Sequence, residues 1–422
     1  MNDKQIVIIG GGLQGLATAN ALLDRGESVL ILEKKEDTGS ATSFANAGML
    51  TPSQSTPWNS PSDILKIFSG IGKKDSPMVL SPRAIPSLFF WGLKFLRNST
   101  NKRFLKISKN CIDLAHYSSS LTKEIREKEG FEYDNKENGT LKVFRSQESL
   151  DKSIAITKVL DPDTPINVLD SKGVSLAEPQ LEPIANQLTG GIFYPEDEIG
   201  DAYKFCKLLE ELVRSKGGRI LVNTDIKKIL VHKGKVNGVI TDRAVLQTKR
   251  VVVAAGSWSR ALLKQVGLRL PVRPVKGYSL TLDTAGINQK PELAVVDESI
   301  HTVVTPLRNR IRIAGTAEFS GFNDDIHPKR IAYLNEMLRS IYPKLYSQLD
   351  LEEGSLWYGF RPMSADGLPF LGKTKIDGLY VNSGQGHLGW TLAMGSASLV
   401  ADLIVNKPTD IDSSPYLASR SL

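Results

Sequence analysis

Residues Gln5 to Ile9 form an unbroken run dominated by β-branched side chains. Small residues follow and lead into a stretch with apolar positions recurring at helical spacing, which stops at Gly26. A second buried-strand run, SVLILE, comes next, so the chain opens as strand, tight turn, helix and strand. Pro and Ser crowd residues 51–86, predicting loop and short helices, and residues 108–129 take up helical spacing that ends at Gly130. NGTLKVF and LTGGIFY then predict an antiparallel sheet between Phe131 and Tyr194. DAYKFCKLLEELVRSKGG is amphipathic at helical spacing, with Asp201 placed to cap its start and Gly217 and Gly218 to end it. The runs RILV, IKKILVH, VNGVIT and RVVVAAG return the chain to an α/β pattern. A second antiparallel stretch occupies about Pro271 to Tyr358 around a helix near Pro328 to Tyr342. GLYVNSG, a glycine-rich turn and a helix over Leu388 to Val405 close the chain. The α/β pieces are interrupted twice, which implies two interleaved domains rather than two in tandem. One domain is expected at residues 1–56, 197–265 and 359–422, the other at 131–196 and 266–358, with 57–130 connecting them.

Composition places this pattern in the ordinary globular class: 422 residues, 41% hydrophobic and 23% charged, with a mean hydropathy of −0.16. Two cysteines, Cys111 and Cys206, cannot build a disulfide framework, and no Cys/His cluster suggests a metal. With no apolar run long enough to span a bilayer and a first strand starting at about Gln5, the expected location is cytoplasmic. The net charge of +7 raises nucleic acid or an anionic membrane as partners. That charge is local, because residues 64–110 carry ten Lys and Arg against Asp75 alone. The same segment holds Phe68, Phe89, Phe90, Trp91, Phe95 and Phe104, a mixture suited to a helix lying in a lipid interface. The plain alternative is a helix whose Leu88, Trp91 and Phe95 face the core and whose charges are merely solvated. No nucleic-acid-binding module is visible.

The chemistry begins at Gly10-Gly11-Gly12-Leu13-Gln14-Gly15, a GxGxxG between a predicted strand and a predicted helix. Gly10 allows the tight turn, Gly12 lets backbone approach a pyrophosphate, and Gly15 lets helix and strand pack closely, with free N–H groups of the helix facing the phosphates. Glu33 ends the next strand 18 residues after Gly15, where a carboxylate accepts hydrogen bonds from a ribose diol and repels a 2′-phosphate. FAD or NAD is implied. A second strand, glycine turn and helix near the C-terminus favours FAD, whose ring gains negative charge on reduction and calls for a helix N-terminus.

ANAGMLTPSQSTPWNSP, GTLKVFRS, LTGGIFYPEDEIGD, PVKGYSLT, NRIRIAGTAEFSGFN and FRPMSADGLPFLGKT resemble the FAD-dependent D-amino acid dehydrogenases of the small-subunit type, within the D-amino acid oxidase and glycine oxidase superfamily. The resemblance runs nearly the whole length. It implies an α/β fold, with a Rossmann-like FAD-binding domain interleaved with an antiparallel-sheet α+β substrate domain. It also implies oxidation of D-amino acids to imino acids, with electrons passed to a quinone or other respiratory acceptor by an enzyme peripherally associated with the inner membrane. Its implied cofactor set is Ile9, Gly10, Gly12, Leu13, Gln14, Gly15, Glu33 and Lys34, then Ser43, Asn46, Ala47, Gly48 and Met49, then Ile226, Ala255 and Gly256, and finally Gly386, His387, Leu388 and Gly389. Similar sequences read Gly-His-Gly where this one reads Gly384-Gln385-Gly386, with His387 one place beyond. Arg361 is expected to bind the substrate carboxylate, with pairing to Asp366 or another acid as the structural alternative, and Tyr278 to add its hydroxyl to the same carboxylate, with a place in the core as its alternative. Lys276 fits either a place near the flavin ring or a surface charge. A D-proline or hydroxyproline dehydrogenase, an oxygen-using amine oxidase of the same fold and, more remotely, an RNA-modifying flavoprotein remain as alternatives.

Overall fold

The computed structural model describes residues 5–61, 64, 65, 67 and 76–420. The strand Ile6–Ile9 is buried throughout between two parallel neighbours, Val29–Leu32 and Arg250–Val253. Continuous apolar runs suit these strands because both faces of a parallel sheet are covered. The sheet continues through Leu379–Ser383 to an antiparallel edge strand, Phe370–Lys373, and on the other side to Arg219–Leu221. Helices Leu13–Asp24, Asn101–Glu129, Ala202–Ser215 and Ala393–Val405 share one core with it, built around Leu16, Leu114, Phe205 and Leu399. The long helix begins at Asn101, seven residues earlier than its spacing predicted, and ends at Gly130 as expected.

The opposite face of the sheet shares a core with a small antiparallel sheet of Ile226–His232, Lys235–Thr241 and Val245–Leu246. This corrects the α/β reading of that region. Only Arg219–Leu221 and Arg250–Val253 join the parallel sheet, because the runs between them alternate buried and exposed positions and so pair with each other.

A larger sheet is ordered Ser355–Ser364, Val272–Asp283, Arg310–Phe319, Thr302–Leu307, Ala294–Asp297, Thr140–Phe144, Gly190–Tyr194 and Asn167–Asp170, with Met78–Leu80 beside Arg310–Phe319. Helix Pro328–Ile341 packs Leu334 and Leu338 against its Leu280 and Ile313. Strand Ser355–Ser364 pairs along its whole length with Val272–Asp283, so it crosses the position expected for a domain boundary at residue 359. The segment from Thr42 to Leu50 is bonded to the larger sheet at Thr42, Ala45, Asn46 and Ala47, and Met49–Leu50 pairs with Glu198–Ile199.

In the basic aromatic segment, Lys66, Phe68, Lys73, Lys74 and Asp75 lie outside the described residues. The rest contains helix Ile85–Arg97, which buries Leu88, Trp91 and Phe95. Its other face leaves Phe89, Phe90 and Leu93 exposed at 55%, 76% and 51%. Among the described residues no helix is long and apolar enough to cross a membrane.

Candidate functional site

The first glycine turn is built as its spacing requires. Gly10 adopts φ +111°, and a Cβ there would stand 2.6 Å from the Ala254 carbonyl oxygen. A Cβ on Gly15 would stand 1.9 Å from the Gly10 carbonyl oxygen, so Gly15 serves the packing of helix on strand. Gly12 caps the helix, and a Cβ built on it would meet only Ser43 Oγ, at an ordinary contact distance of 3.7 Å. The Glu33 carboxylate accepts from the Gly11 N–H at 2.6 Å and the Lys35 N–H at 2.8 Å, which fixes its head and leaves acceptor positions free.

Two glutamines join this turn to the C-terminal one. Gln14 Nε2 donates to the Gly389 carbonyl at 2.6 Å, and Gln385 Nε2 donates to Gln14 Oε1 at 3.3 Å and to Asn382 Oδ1 at 2.6 Å. One cavity of about 980 Å³ runs past both turns. Every residue assigned above to the cofactor lines it except Gly15. Arg361 and Tyr278 line the same cavity.

The wall from Ala45 to Met49 is held by the larger sheet. Ser279 Oγ donates to the Ala45 carbonyl at 2.6 Å, Arg312 Nη1 to the Asn46 carbonyl at 3.2 Å, and Thr305 Oγ1 to the Ala47 carbonyl at 2.6 Å. Asp201 caps its helix through Oδ1, as predicted, while its Oδ2 accepts from Arg310 and Arg312 and so steadies the same wall.

Arg361 lines the cavity near the C-terminal turn, where Trp58 touches both its guanidinium and the His387 ring. Its Nη1 donates to the Thr316 carbonyl at 2.9 Å, and its guanidinium lies 5.3 Å from the Trp58 ring centre. Thr316 takes φ +65°, a costly conformation for a β-branched residue, at an irregularity in the pairing of Val272–Asp283 with Arg310–Phe319. No carboxylate among the described residues pairs with Arg361. Burial alone lowers its pKa to about 10, which leaves it cationic at neutral pH. The alternative partner, Asp366, is taken by Arg420 at 2.8 and 3.0 Å. His387 stacks on Trp58 with centroids 4.5 Å apart and planes 13° from parallel. Burial first, and the Arg361 charge second, hold its pKa at about 3, so this imidazole is neutral.

Two expectations need correction. Tyr278 lines the cavity, but its hydroxyl donates to Glu318 Oε2 at 2.9 Å, which leaves no proton for a substrate carboxylate. Lys276 is neither a cavity residue nor a surface charge: it is fully buried, donates to the Asp325 carbonyl at 2.5 Å, and lies over the rings of Tyr278 and Tyr358. Sequence reasoning missed Trp58, Thr316 and Gly277. A lone glycine within a strand signals a close approach, and a Cβ on Gly277 would stand 2.1 Å from Arg361 Nη1. An aromatic in the Pro- and Ser-rich stretch was the available signal for Trp58. Thr316 carried none.

Comparisons with known proteins agree with this geometry. Residues 5–403 match the model of the family described as FAD dependent oxidoreductase. A D-amino acid dehydrogenase of Bradyrhizobium diazoefficiens is 36% identical over 419 residues, covering 99% of this chain and 98% of its own. One from Rhizobium johnstonii is 36% identical over 417 residues and covers 99% of both. The glycine oxidase of Bacillus cereus has 25% identity and a TM-score of 0.75 over 99% of both chains. An L-proline dehydrogenase from P. horikoshii, at 18% identity and a TM-score of 0.78 over 99% of this chain and 98% of its own, shares the fold.

Proposed function

The chain belongs to the FAD-dependent oxidoreductase family, and from that premise we propose that it oxidises D-amino acids to imino acids, which water hydrolyses to 2-oxo acids and ammonia. The observation that carries this reading is Arg361, a guanidinium without a carboxylate partner in the cavity that runs past both glycine turns. The cavity fits FAD: Gly12 lines it without a side chain that would project there, and the volume of about 980 Å³ is at the upper end of ordinary ligand pockets. Gly10, Gly12, Leu13 and Gln14 would hold the pyrophosphate, and Glu33, Lys34 and Ile226 the adenosine. Ser43, residues 46–49, Ala255, Gly256 and residues 386–389 would hold the ring half. Bound there, FAD supplies acceptance of the electron pair and hydrogen released from the substrate Cα–H bond.

The chain supplies position and exclusion of water. Arg361 can take a carboxylate with two parallel N–H donors, while the Trp58 face and the Thr316 carbonyl fix the plane of its fork. Neutral His387 beside it adds no competing charge. The dehydrogenase names of the relatives at 36% identity support a D-amino acid as substrate and an acceptor other than oxygen. That acceptor is a quinone or another respiratory carrier, reached at the anionic cytoplasmic face of the membrane through helix Ile85–Arg97. The support is its exposed Phe89, Phe90 and Leu93 set among Lys94, Arg97, Lys102 and Arg103.

Anaerobic mixing of the yellow holoenzyme with D-alanine, L-alanine, D-proline and glycine in turn tests the reaction. Bleaching by D-alanine, slow recovery in air and fast recovery with a quinone analogue are expected. Bleaching by glycine or L-alanine with rapid recovery in air would overturn the assignment in favour of an oxidase.

A further inference from the structure

Directly behind the cavity wall lies a carboxylate that the reaction above does not use. Asp197 is 1% exposed. Ser53 Oγ donates to it, lying 2.7 Å from both carboxylate oxygens, Thr140 Oγ1 donates at 2.7 Å and Gln54 Nε2 at 3.2 Å. All these donors are neutral, and Asp197 forms no ion pair among the described residues. Ser53 and Gln54 themselves line the cavity, on the short stretch of chain that reaches Trp58 and hence Arg361. A buried anion without a cation is costly to keep, and the Ser53 hydroxyl that donates to it lines the cavity that Arg361 also lines.

An amino acid arrives as its ammonium form, and the nitrogen lone pair must be free before the Cα–H bond can be oxidised. We propose that Asp197 is a positioning residue that takes up this proton through Ser53, a role that rests on the amino acid reading of the site. Ser53 Oγ accepts a proton from the substrate ammonium while its own hydroxyl proton passes to Asp197. The step leaves a neutral amine, an unchanged hydroxyl and a neutral carboxylic acid, and no electrons move. Asp197 returns the proton by the same route after product leaves.

Burial raises the Asp197 pKa to about 6, with the Ser53, Thr140 and Gln54 hydrogen bonds opposing, so the carboxylate can exchange a proton near neutral pH. Tyr194, on the neighbouring strand, is the titratable side chain coupled to it and stays neutral, pushed up to about 12. Glu198, next in sequence, is bound to Arg126. Lys142, Lys152, Glu298 and His301 line the same cavity. His387, held near 3, does not titrate in this window.

The test is the pH dependence of anaerobic FAD reduction in the holoenzyme, using whichever of D-alanine, D-proline or glycine reduces the wild type. The low-substrate rate of the wild type is expected to rise about tenfold per pH unit up to about pH 6 and then level. Asp197→Asn, which keeps the shape without the charge, and Ser53→Ala, which removes the relay, are each expected to lose this limb. Both are expected to run at least tenfold slower at pH 7.5. His301→Gln is expected to keep the limb. A wild type with no limb near pH 6, an unmoved limb in Asp197→Asn or Ser53→Ala, or a limb lost in His301→Gln overturns the proposal. Should Asp197→Asn fail to hold FAD, the wild type and Ser53→Ala still decide. If no amine reduces the wild type, the amino acid reading fails and this role with it, an outcome distinct from reduction with an unmoved profile.

Discussion

Gly277 lies directly beneath the guanidinium of Arg361: a Cβ built on this glycine would stand 2.1 Å from Nη1 and 2.3 Å from Cζ. The missing side chain is thus what lets the fork lie against the strand. Gly277→Ala is expected to fold and hold FAD, because the obstructed group is the far end of a flexible side chain. It should weaken D-amino acid binding about 10- to 100-fold, as loss of a charge-assisted contact does. Arg361→Lys should behave similarly, since an ammonium cannot reproduce the planar pair of donors. Anaerobic titration of flavin bleaching against substrate concentration reads the effect, and unchanged affinity in both variants would remove Arg361 from the site.

Trp58 touches both the Arg361 cation and the His387 ring. Trp58→Ala removes both contacts and opens the site to water. Substrate affinity should fall about tenfold, in line with roughly 1–2 kcal/mol for such ring contacts, with Trp58→Phe retaining most of it. The His387 pKa should rise from about 3 toward the ordinary imidazole range, observable by NMR of labelled histidine.

Gln14 spans the two glycine turns through Gly389 and Gln385. Gln14→Ala should weaken FAD retention about tenfold, the equivalent of about one to two hydrogen bonds. The limiting rate of reduction at saturating FAD should not change. Equilibrium dialysis of FAD, alongside single-turnover reduction, separates the two effects.

Trp91 and Phe95 belong to the core, so only the outer face of helix Ile85–Arg97 is free to meet lipid. Changing Phe89, Phe90 and Leu93 to Ser should abolish co-sedimentation with anionic vesicles while leaving reduction by substrate intact. High salt should weaken wild-type binding, because Arg97 and Lys102 are exposed and Lys94 and Arg103 half-buried at the surface. Equal sedimentation of variant and wild type would exclude this helix from membrane contact.

Asp197 also carries a stability signature. Its pKa is raised by burial from 3.8 to about 6, so the folded state holds the proton more tightly than the unfolded state. The resulting stability is fully present below about pH 4 and is lost as pH rises through 6, amounting to about 3 kcal/mol at most. Asp197→Asn is therefore expected to unfold at higher denaturant than wild type at pH 8, with the gap closing below pH 4. Equal unfolding midpoints at pH 8 would contradict the buried, unpaired carboxylate.

The glycine turns, Glu33 and the capping Asp201 were legible in the sequence because each rule acts within a few residues: a turn, a strand end, a helix start. The surroundings of Arg361 were not legible, because they depend on which distant strands lie side by side. Nothing local to Tyr278 says that Glu318, forty residues on, takes its hydroxyl proton. Lys276 was undecidable for the same reason, since its partner is the Asp325 backbone. The Ile226–Leu246 region was misassigned because short β-rich runs suit either kind of sheet until their partners are known.

Ser279, Thr305 and Arg312 fasten three consecutive carbonyls, Ala45, Asn46 and Ala47, from three strands of the larger sheet. Any exchange of that sheet with a relative's, as in building a chimera of altered substrate range, would have to carry this trio along. Without it, the new specificity would arrive with the cavity wall at Ala45–Ala47 no longer held from the sheet.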